Sequence, residues 1–242
     1  MKLYGLIGFP LSHSFSKNYF RQKFLDEGIT GCDYELFPIE TIEELPRLLE
    51  ENPNLCGLNI TIPYKQLAIP FLDDSNNLPL QACNCIKIEG GKLIGFNTDV
   101  VGFEESFKPL LQSHHKAALV LGTGGASLAV QYVLQKNGID FKVVSRNATN
   151  GITYEELDKS IMETHHVIIN TTPLGTYPNV DDCPAIPYEL ITPKHYCYDL
   201  VYNPPKTKFL LNAEAKGAAV KNGGDMLKIQ AEESWRIWNR ES

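Results

Sequence analysis

Between residues 117 and 146 an apolar run, AALVLG, leads through Thr123 into GGASLAVQYVLQKNG, which has a helical pattern, and then into a second apolar run, FKVVSR. Two strands joined by a helix return in the same direction, so this stretch demands a parallel sheet covered by helices. The alternation holds over most of the chain. KLYGLIG reads as a strand, SKNYFRQKFLDEG as a helix ended by Gly28, YELFPI as a strand, TIEELPRLLEEN as a helix capped by Thr41, and LCGLNITI as a third strand. CIKIE and KLIGF around Gly90-Gly91 read as a hairpin. Beyond Asn97 the character changes. DVVGFEESFKPLL is helix-like, SHHK breaks the pattern, and a second β-α series begins, with HVIINTT and YCYDLVY as strands and KTKFLLNAEAKG as a helix. The expected fold class is α/β with two domains, divided near residue 98. A last helix starts near Asp225, and its Leu227, Gln230, Ala231, Ser234, Trp235 and Trp238 share one side that must pack on a partner.

Composition excludes several functions. The 242 residues are 43% apolar and carry a net charge of -7, which supplies a core but no basic stripe for nucleic acid. The six cysteines (Cys32, Cys56, Cys83, Cys85, Cys183, Cys197) show no C-x-x-C spacing, which favours reduced thiols. No apolar run reaches spanning length, and MKLYGLIGFP is broken by Gly5, Gly8 and Pro10. The expectation is a soluble, cytoplasmic protein with no nucleic-acid or membrane partner, in which a small ligand could still recruit local positive charge. His114-His115 and His165-His166 lack ligand spacing and accompanying acids, so no metal is expected.

LVLGTGGASLAV places Gly122, Gly124 and Gly125 between a strand and a helix, with Thr123, Ala126 and Ser127 among them. Glycines there let backbone approach a pyrophosphate, whose charge sits on the free N–H groups of the helix start. An ordinary strand-to-helix turn would read alike, but the β-α-β frame favours a dinucleotide loop. About 20 residues on, where an NAD site carries an acid, stand Ser145, Arg146 and Asn147. A guanidinium there suits a 2′-phosphate, so NADP is favoured over NAD; the plainer account is a solvated arginine after a strand.

NITIPYK, residues 59–65, puts Asn59 and Thr61 on one face, Ile60 and Ile62 on the other, and ends at Pro63 with Lys65 just beyond. It reads either as an edge strand with a wet face or as the wall of a polar site. GFPLSHSFS sets Ser14 and Ser16 before a helix, where their hydroxyls can hold a carboxylate; Ser16 also reads as an N-cap, and His13 beside it as structural. Asp99 in GFNTDVVGF reads as an N-cap, or as a carboxylate that would hold Lys65 and tune its proton affinity.

Taken together, GFPLSHSFS, NITIPYK, ACNC, GFNTD, GTGGAS, SRN, NTTPLG, DLVYNP and GGDMLKIQA run in order along nearly the whole chain, and the set resembles the shikimate dehydrogenase family. The resemblance implies an N-terminal α/β substrate domain over residues 1–98, joined by the C-terminal helix 225–242. It implies a Rossmann-like dinucleotide-binding domain over residues 99–224, with a cleft between the two. It implies that Ser14, Ser16 and Tyr202 bind the substrate carboxylate, and that Asn59, Thr61, Asn84, Asp99 and Gln230 read ring hydroxyls. Lys65 paired with Asp99 would be the acid/base. Gly122, Thr123, Gly124, Gly125 and Ala126 would hold pyrophosphate, Ser145, Arg146 and Asn147 the adenosine end, and Leu200 and Gly223 the nicotinamide. The implied reaction is reversible NADPH-dependent reduction of 3-dehydroshikimate to shikimate, in aromatic amino acid biosynthesis. Lys17 stands where the family often has proline after its second serine, Cys85 where it usually has threonine, and no second base follows Arg146 through Thr149 and Asn150. The alternatives are a quinate/shikimate dehydrogenase with relaxed substrate or NAD use, and a dinucleotide sensor without catalysis.

Overall fold

A computed structural model describes residues 1–11, 14–147 and 151–240; His13, Thr149 and Asn150 lie outside the described residues. The chain divides into two units, Met1–Thr98 with Ala231–Ser242, and Asp99–Gln230.

The first unit is built on β1 (Lys2–Gly8), β2 (Cys32–Pro38), β3 (Leu55–Ile60), β4 (Cys85–Glu89) and β5 (Lys92–Phe96), in the order β2-β1-β3-β4-β5. Helix α1 (Phe15–Asp26) carries the chain from β1 to β2, and α2 (Leu45–Glu51) from β2 to β3, so these three strands are parallel. β4 and β5 are antiparallel, joined at Gly90 and Gly91 with φ of 58° and 79°, the left-handed pair a tight hairpin requires. Alternation along the strands separates two cores. Ile7, Leu58, Ile60 and Ile86 meet Leu45, Leu48 and Tyr64 on one face. Tyr4 and Tyr34 meet Phe20 and Trp238 on the other.

β3 is therefore an interior strand, hydrogen-bonded to β1 and β4, and not the edge strand its polar residues suggest. It ends at Ile60, two residues short of the LCGLNITI run. Thr61 N still donates to Ile7 O at 3.0 Å, but Ile62 lies past the ladder and is 75% exposed.

The second unit holds α3 (Thr98–Phe107), β6 (Ala117–Leu121), α4 (Gly125–Lys136), β7 (Asp140–Ser145), β8 (Ile152–Thr153), α5 (Lys159–Thr164), β9 (Val167–Asn170), β10 (Tyr196–Asp199), α6 (Lys208–Glu214) and β11 (Ala219–Lys221). α7 (Gly224–Asn239) begins in this unit, and from Ala231 its residues belong to the first. The sheet order is β11-β10-β9-β6-β7-β8, with every pairing parallel. The chain steps outward from β6 to β8, returns beside β6 as β9, and steps outward again to β11. That reversal splays the loops after β6 and β9 apart and opens a crevice at the carboxyl ends of the strands. β8, α5 and β11 carry no sequence pattern of their own, being too short to show a period.

Candidate active site

A cavity of about 420 Å³ occupies that crevice, lined by Gly122, Thr123 and Gly124 after β6, Ser145 and Arg146 after β7, Tyr154 after β8, and Thr171 to Leu174 after β9. The glycine loop is fixed from both sides. Gly122 N donates to Val144 O at 2.8 Å, and Thr171 N and Oγ1 both donate to Leu121 O, at 2.9 and 2.7 Å. Gly122 has φ of 105°, and a Cβ there would stand 2.9 Å from Thr171 Oγ1 and Thr172 Cγ2, so only glycine fits. Gly124 and Gly125 face open space: a Cβ on either would meet no atom within 4 Å. Gly124 is the N-cap of α4 and offers no side chain to its first N–H groups, and the first turn contains no acid. A free helix N-terminus under a bare backbone cradle fits a pyrophosphate, and Arg146 lies exposed at the cavity's rim for a further anionic group.

Behind this cavity lies a network invisible in the sequence. Asp199, fully buried at the end of β10, accepts from Asn170 Nδ2 at 2.9 Å, Val201 N at 3.0 Å and Thr207 Oγ1 at 2.5 Å. Asn170 Oδ1 in turn accepts from Thr172 N at 3.0 Å and Thr172 Oγ1 at 2.6 Å. The loop after β9 is thus tied to a buried carboxylate, which burial pushes up to about 6 against the pull of those donors. Ser145 Oγ donates to Asn147 O at 2.6 Å, closing the turn that presents Arg146. Ala126 is in the first turn of α4. Leu200 and Gly223 form a contact of their own: Gly223 N donates to Val201 O at 3.2 Å, and a Cβ on Gly223 would collide with the Leu200 carbonyl.

The remaining residues of this unit include Asp99, a buried acid in the first turn of α3, and Gln230, also buried, on α7. Gly102 lets these helices close up, since a Cβ there would lie 2.7 Å from Met226 O and 3.0 Å from Gln230 Cβ. Asp99 is thus the second residue of its helix and not its cap. Tyr202 is 41% exposed beyond β10.

In the first unit the polar face of β3 joins a buried network. Asn59 Oδ1 accepts from Tyr34 Oη at 2.9 Å, and Asn59 Nδ2 donates to Ser234 Oγ at 2.9 Å. Asn84 Oδ1 accepts from Thr98 N at 2.6 Å, Asn84 Nδ2 donates to Thr98 Oγ1 at 3.0 Å, and Thr98 Oγ1 lies 3.3 Å from Ser234 Oγ. Burial pushes the Tyr34 phenol up, while a hydrogen bond with Ser16 pulls it down. Nothing in the sequence singles out Tyr34 or Ser234 as a site residue; Ser234 shows there only as a small polar residue on the packed face of the last helix.

Ser14, not Ser16, is the N-cap of α1: its backbone is extended, its Oγ accepts from Lys17 N at 3.5 Å, and the helix starts at Phe15. Ser16 is therefore the second residue of the helix, with its hydroxyl turned to Tyr34. Lys17 points elsewhere, its Nζ 2.5 Å from Glu35, which it holds below the usual carboxylate range. Lys65 follows β3 in a turn pinned at both ends, Tyr64 Oη donating to Ile39 O at 2.7 Å and Cys83 N to Lys65 O at 2.6 Å. Its side chain is half-buried. Among the described residues no cluster of His, Cys, Asp or Glu could hold a metal, and no helix is long and apolar enough to cross a membrane.

Residues 6–86 match the shikimate dehydrogenase substrate binding domain. Across 98% of this chain and 92% of its own length, the shikimate dehydrogenase (NADP(+)) of Caldicellulosiruptor saccharolyticus is 34% identical. Shikimate 5-dehydrogenase from Thermus thermophilus, solved in complex with NADP(H) and shikimate, superposes with a TM-score of 0.85 at 30% identity, covering 99% of this chain and 94% of that one. Quinate dehydrogenase from Corynebacterium glutamicum, in complex with NAD, superposes with a TM-score of 0.87 at 26% identity over 98% and 93%. A bare glycine cradle at a parallel-sheet crevice, a buried amide and hydroxyl network, and this end-to-end likeness lead to one conclusion: the chain belongs to the shikimate dehydrogenase family.

Proposed function

We propose that this protein is an NADP-dependent shikimate dehydrogenase, an oxidoreductase that reversibly reduces 3-dehydroshikimate to shikimate in the cytoplasm, as a monomer or homodimer, for chorismate and aromatic amino acid biosynthesis. Family membership along the full chain carries the reading. In it the first unit binds the substrate and the second the dinucleotide.

When bound, the reduced nicotinamide supplies the hydride that reaches the carbonyl carbon of the substrate. Gly122, Thr123, Gly124, Gly125 and Ala126 would hold the pyrophosphate, Ser145, Arg146 and Asn147 the adenosine end, and Leu200 and Gly223 the nicotinamide end. Lys65 gives a proton to the carbonyl oxygen as it becomes an alkoxide, and takes one back in the reverse direction. Asp99 is its partner in holding charge. Ser14, Ser16 and Tyr202 bind the carboxylate, and Asn59, Thr61, Asn84 and Gln230 read the ring hydroxyls. Support comes from Asn59 and Asn84, whose carboxamides are already oriented by Tyr34, Thr98 and Ser234, so little ordering is left to substrate binding.

Purified protein mixed with NADPH and 3-dehydroshikimate is expected to consume NADPH absorbance. Binding of NADPH without turnover would leave a dinucleotide sensor instead. The likeness to an NAD-bound quinate dehydrogenase gives a second reading some weight, so the assay is run with both cofactors and both acids. Turnover of quinate with NAD at comparable kcat/KM would favour it.

A further inference from the structure

The ribose 2′-phosphate of NADP carries close to two negative charges at neutral pH. Among the described residues lining the nucleotide cavity, Arg146 is the one base. β7 and β8 pair in parallel register, Val144 with Ile152 and Ser145 with Thr153. One residue past that last pair stand Arg146 and Tyr154, which both line the cavity and interact electrostatically. Gly151 allows that approach, because a Cβ there would collide with the Val143 carbonyl. Thr153 then caps a short 3-10 turn over Tyr154–Glu156, its N–H donating to Glu156 Oε2 at 2.6 Å. The turn holds Tyr154 at its start and commits the Glu156 carboxylate to the backbone. Burial pushes the half-buried Tyr154 phenol up while Arg146 pulls it down, so at neutral pH it remains an O–H donor.

We propose that Tyr154 is a specificity-determining residue for the cofactor: its hydroxyl donates to the 2′-phosphate beside Arg146, in place of a second base, and its ring walls the adenine slot against Pro173 and Leu174. The inference rests on the NADP reading above. The planar guanidinium supplies charge and paired donors, and the phenol supplies one neutral donor, whose bond to a charged phosphate is about twice as strong as any it makes to the bare hydroxyl of NADH.

The test is calorimetric titration of the full chain with NADPH, NADH, 2′-AMP and 5′-AMP, for the unaltered protein, Tyr154→Phe, Tyr154→Ala and Arg146→Gln. Tyr154→Phe is expected to weaken NADPH and 2′-AMP by roughly tenfold, the worth of one hydrogen bond to a charged group, with NADH and 5′-AMP changed far less. Tyr154→Ala should weaken all four, because the ring is lost as well. If Tyr154→Phe keeps the NADPH-to-NADH affinity ratio while Arg146→Gln abolishes it, the role of Tyr154 falls and the NADP reading stands. If the unaltered protein binds both dinucleotides equally, both fall. A thermal melt of each variant separates lost binding from lost fold.

Discussion

Lys65 is held by its backbone and not by a surrounding helix or strand, in a turn between Tyr64, anchored on Ile39, and the Cys83 contact. On the proposed function, truncating it removes the proton source while the Tyr64 anchor and the backbone contact from Cys83 stay in place. Lys65→Ala should lower kcat by ~10²- to 10⁴-fold, the usual worth of a positioned acid/base group, with the KM for 3-dehydroshikimate little changed. Unaltered kcat in steady-state assays would remove Lys65 from the chemistry. Asp199 is the opposite kind of residue, fully buried and committed to three donors. Asp199→Ala strands all three and should cost about 3 kcal/mol or more, read as a lower urea midpoint, whereas Asp199→Asn keeps an acceptor and should cost less. A polar Asn59 on a buried strand and a lysine past its end stand out in a sequence. The partners of Asn59 do not, because Tyr34 and Ser234 are 25 and 175 residues away and only the fold brings them to it.

At the scale of elements, the end of α7 shows what pattern conveys and what it leaves out. Its apolar side is legible from spacing, but the surface it covers is marked by a missing side chain. Gly57 on β3 leaves room for the Trp238 indole, whose Nε1 donates to Ile86 O at 2.9 Å while its ring stacks on Tyr4 at 4.8 Å. A glycine in a strand reads as a weak point, and nothing near it in sequence names the tryptophan 181 positions on. Gly57→Ala would drive its methyl into that indole. The expected cost is about 3 kcal/mol, near that of truncating a buried tryptophan, with loss of the native Trp fluorescence of the first unit before the second unfolds. A variant whose urea midpoint and emission match the parent would show that the indole is not locked there. The second sheet is the easier one to foresee, since short buried runs alternate with helices. β8 escapes the pattern because two residues carry no period, and with it goes the register that sets Tyr154 beside Arg146.

Over the molecule as a whole, histidines gather at the amino ends of the strands of the second unit, where His114, His115, His166 and His195 lie ring to ring, with centroids 4.3 Å apart for His114–His115, 5.6 Å for His114–His166 and 5.3 Å for His166–His195. His195 Nδ1 accepts from Thr192 N at 3.0 Å, and its Nε2 faces Met162 O at 3.1 Å. His115 repeats the pattern, with Gln112 N on Nδ1 at 3.0 Å and Lys194 O by Nε2 at 3.1 Å. A second ring proton would meet a backbone N–H head on, so both rings are fixed as the neutral Nε2–H tautomer. Burial holds His115, His166 and His195 below the usual histidine range, and their mutual charges add to it. The unfolded chain therefore binds protons first as pH falls through about 6.5, and stability drops with acid until the folded pKa values are passed. Asp199 acts the other way: its carboxyl, raised to about 6 from 3.8, favours the folded state below pH ~4 and loses that contribution as pH rises through about 6. One carboxylate against these three histidines and His165, which burial also holds down, leaves the imidazoles in control between about pH 7 and 5. Melting temperature should fall steadily over that interval in the unaltered protein. In His115→Gln/His195→Gln, where neither position can titrate, the slope should flatten even if the whole curve is lower. A parent curve flat over that interval, or a double variant with an unchanged slope, would show that the histidines do not govern acid stability.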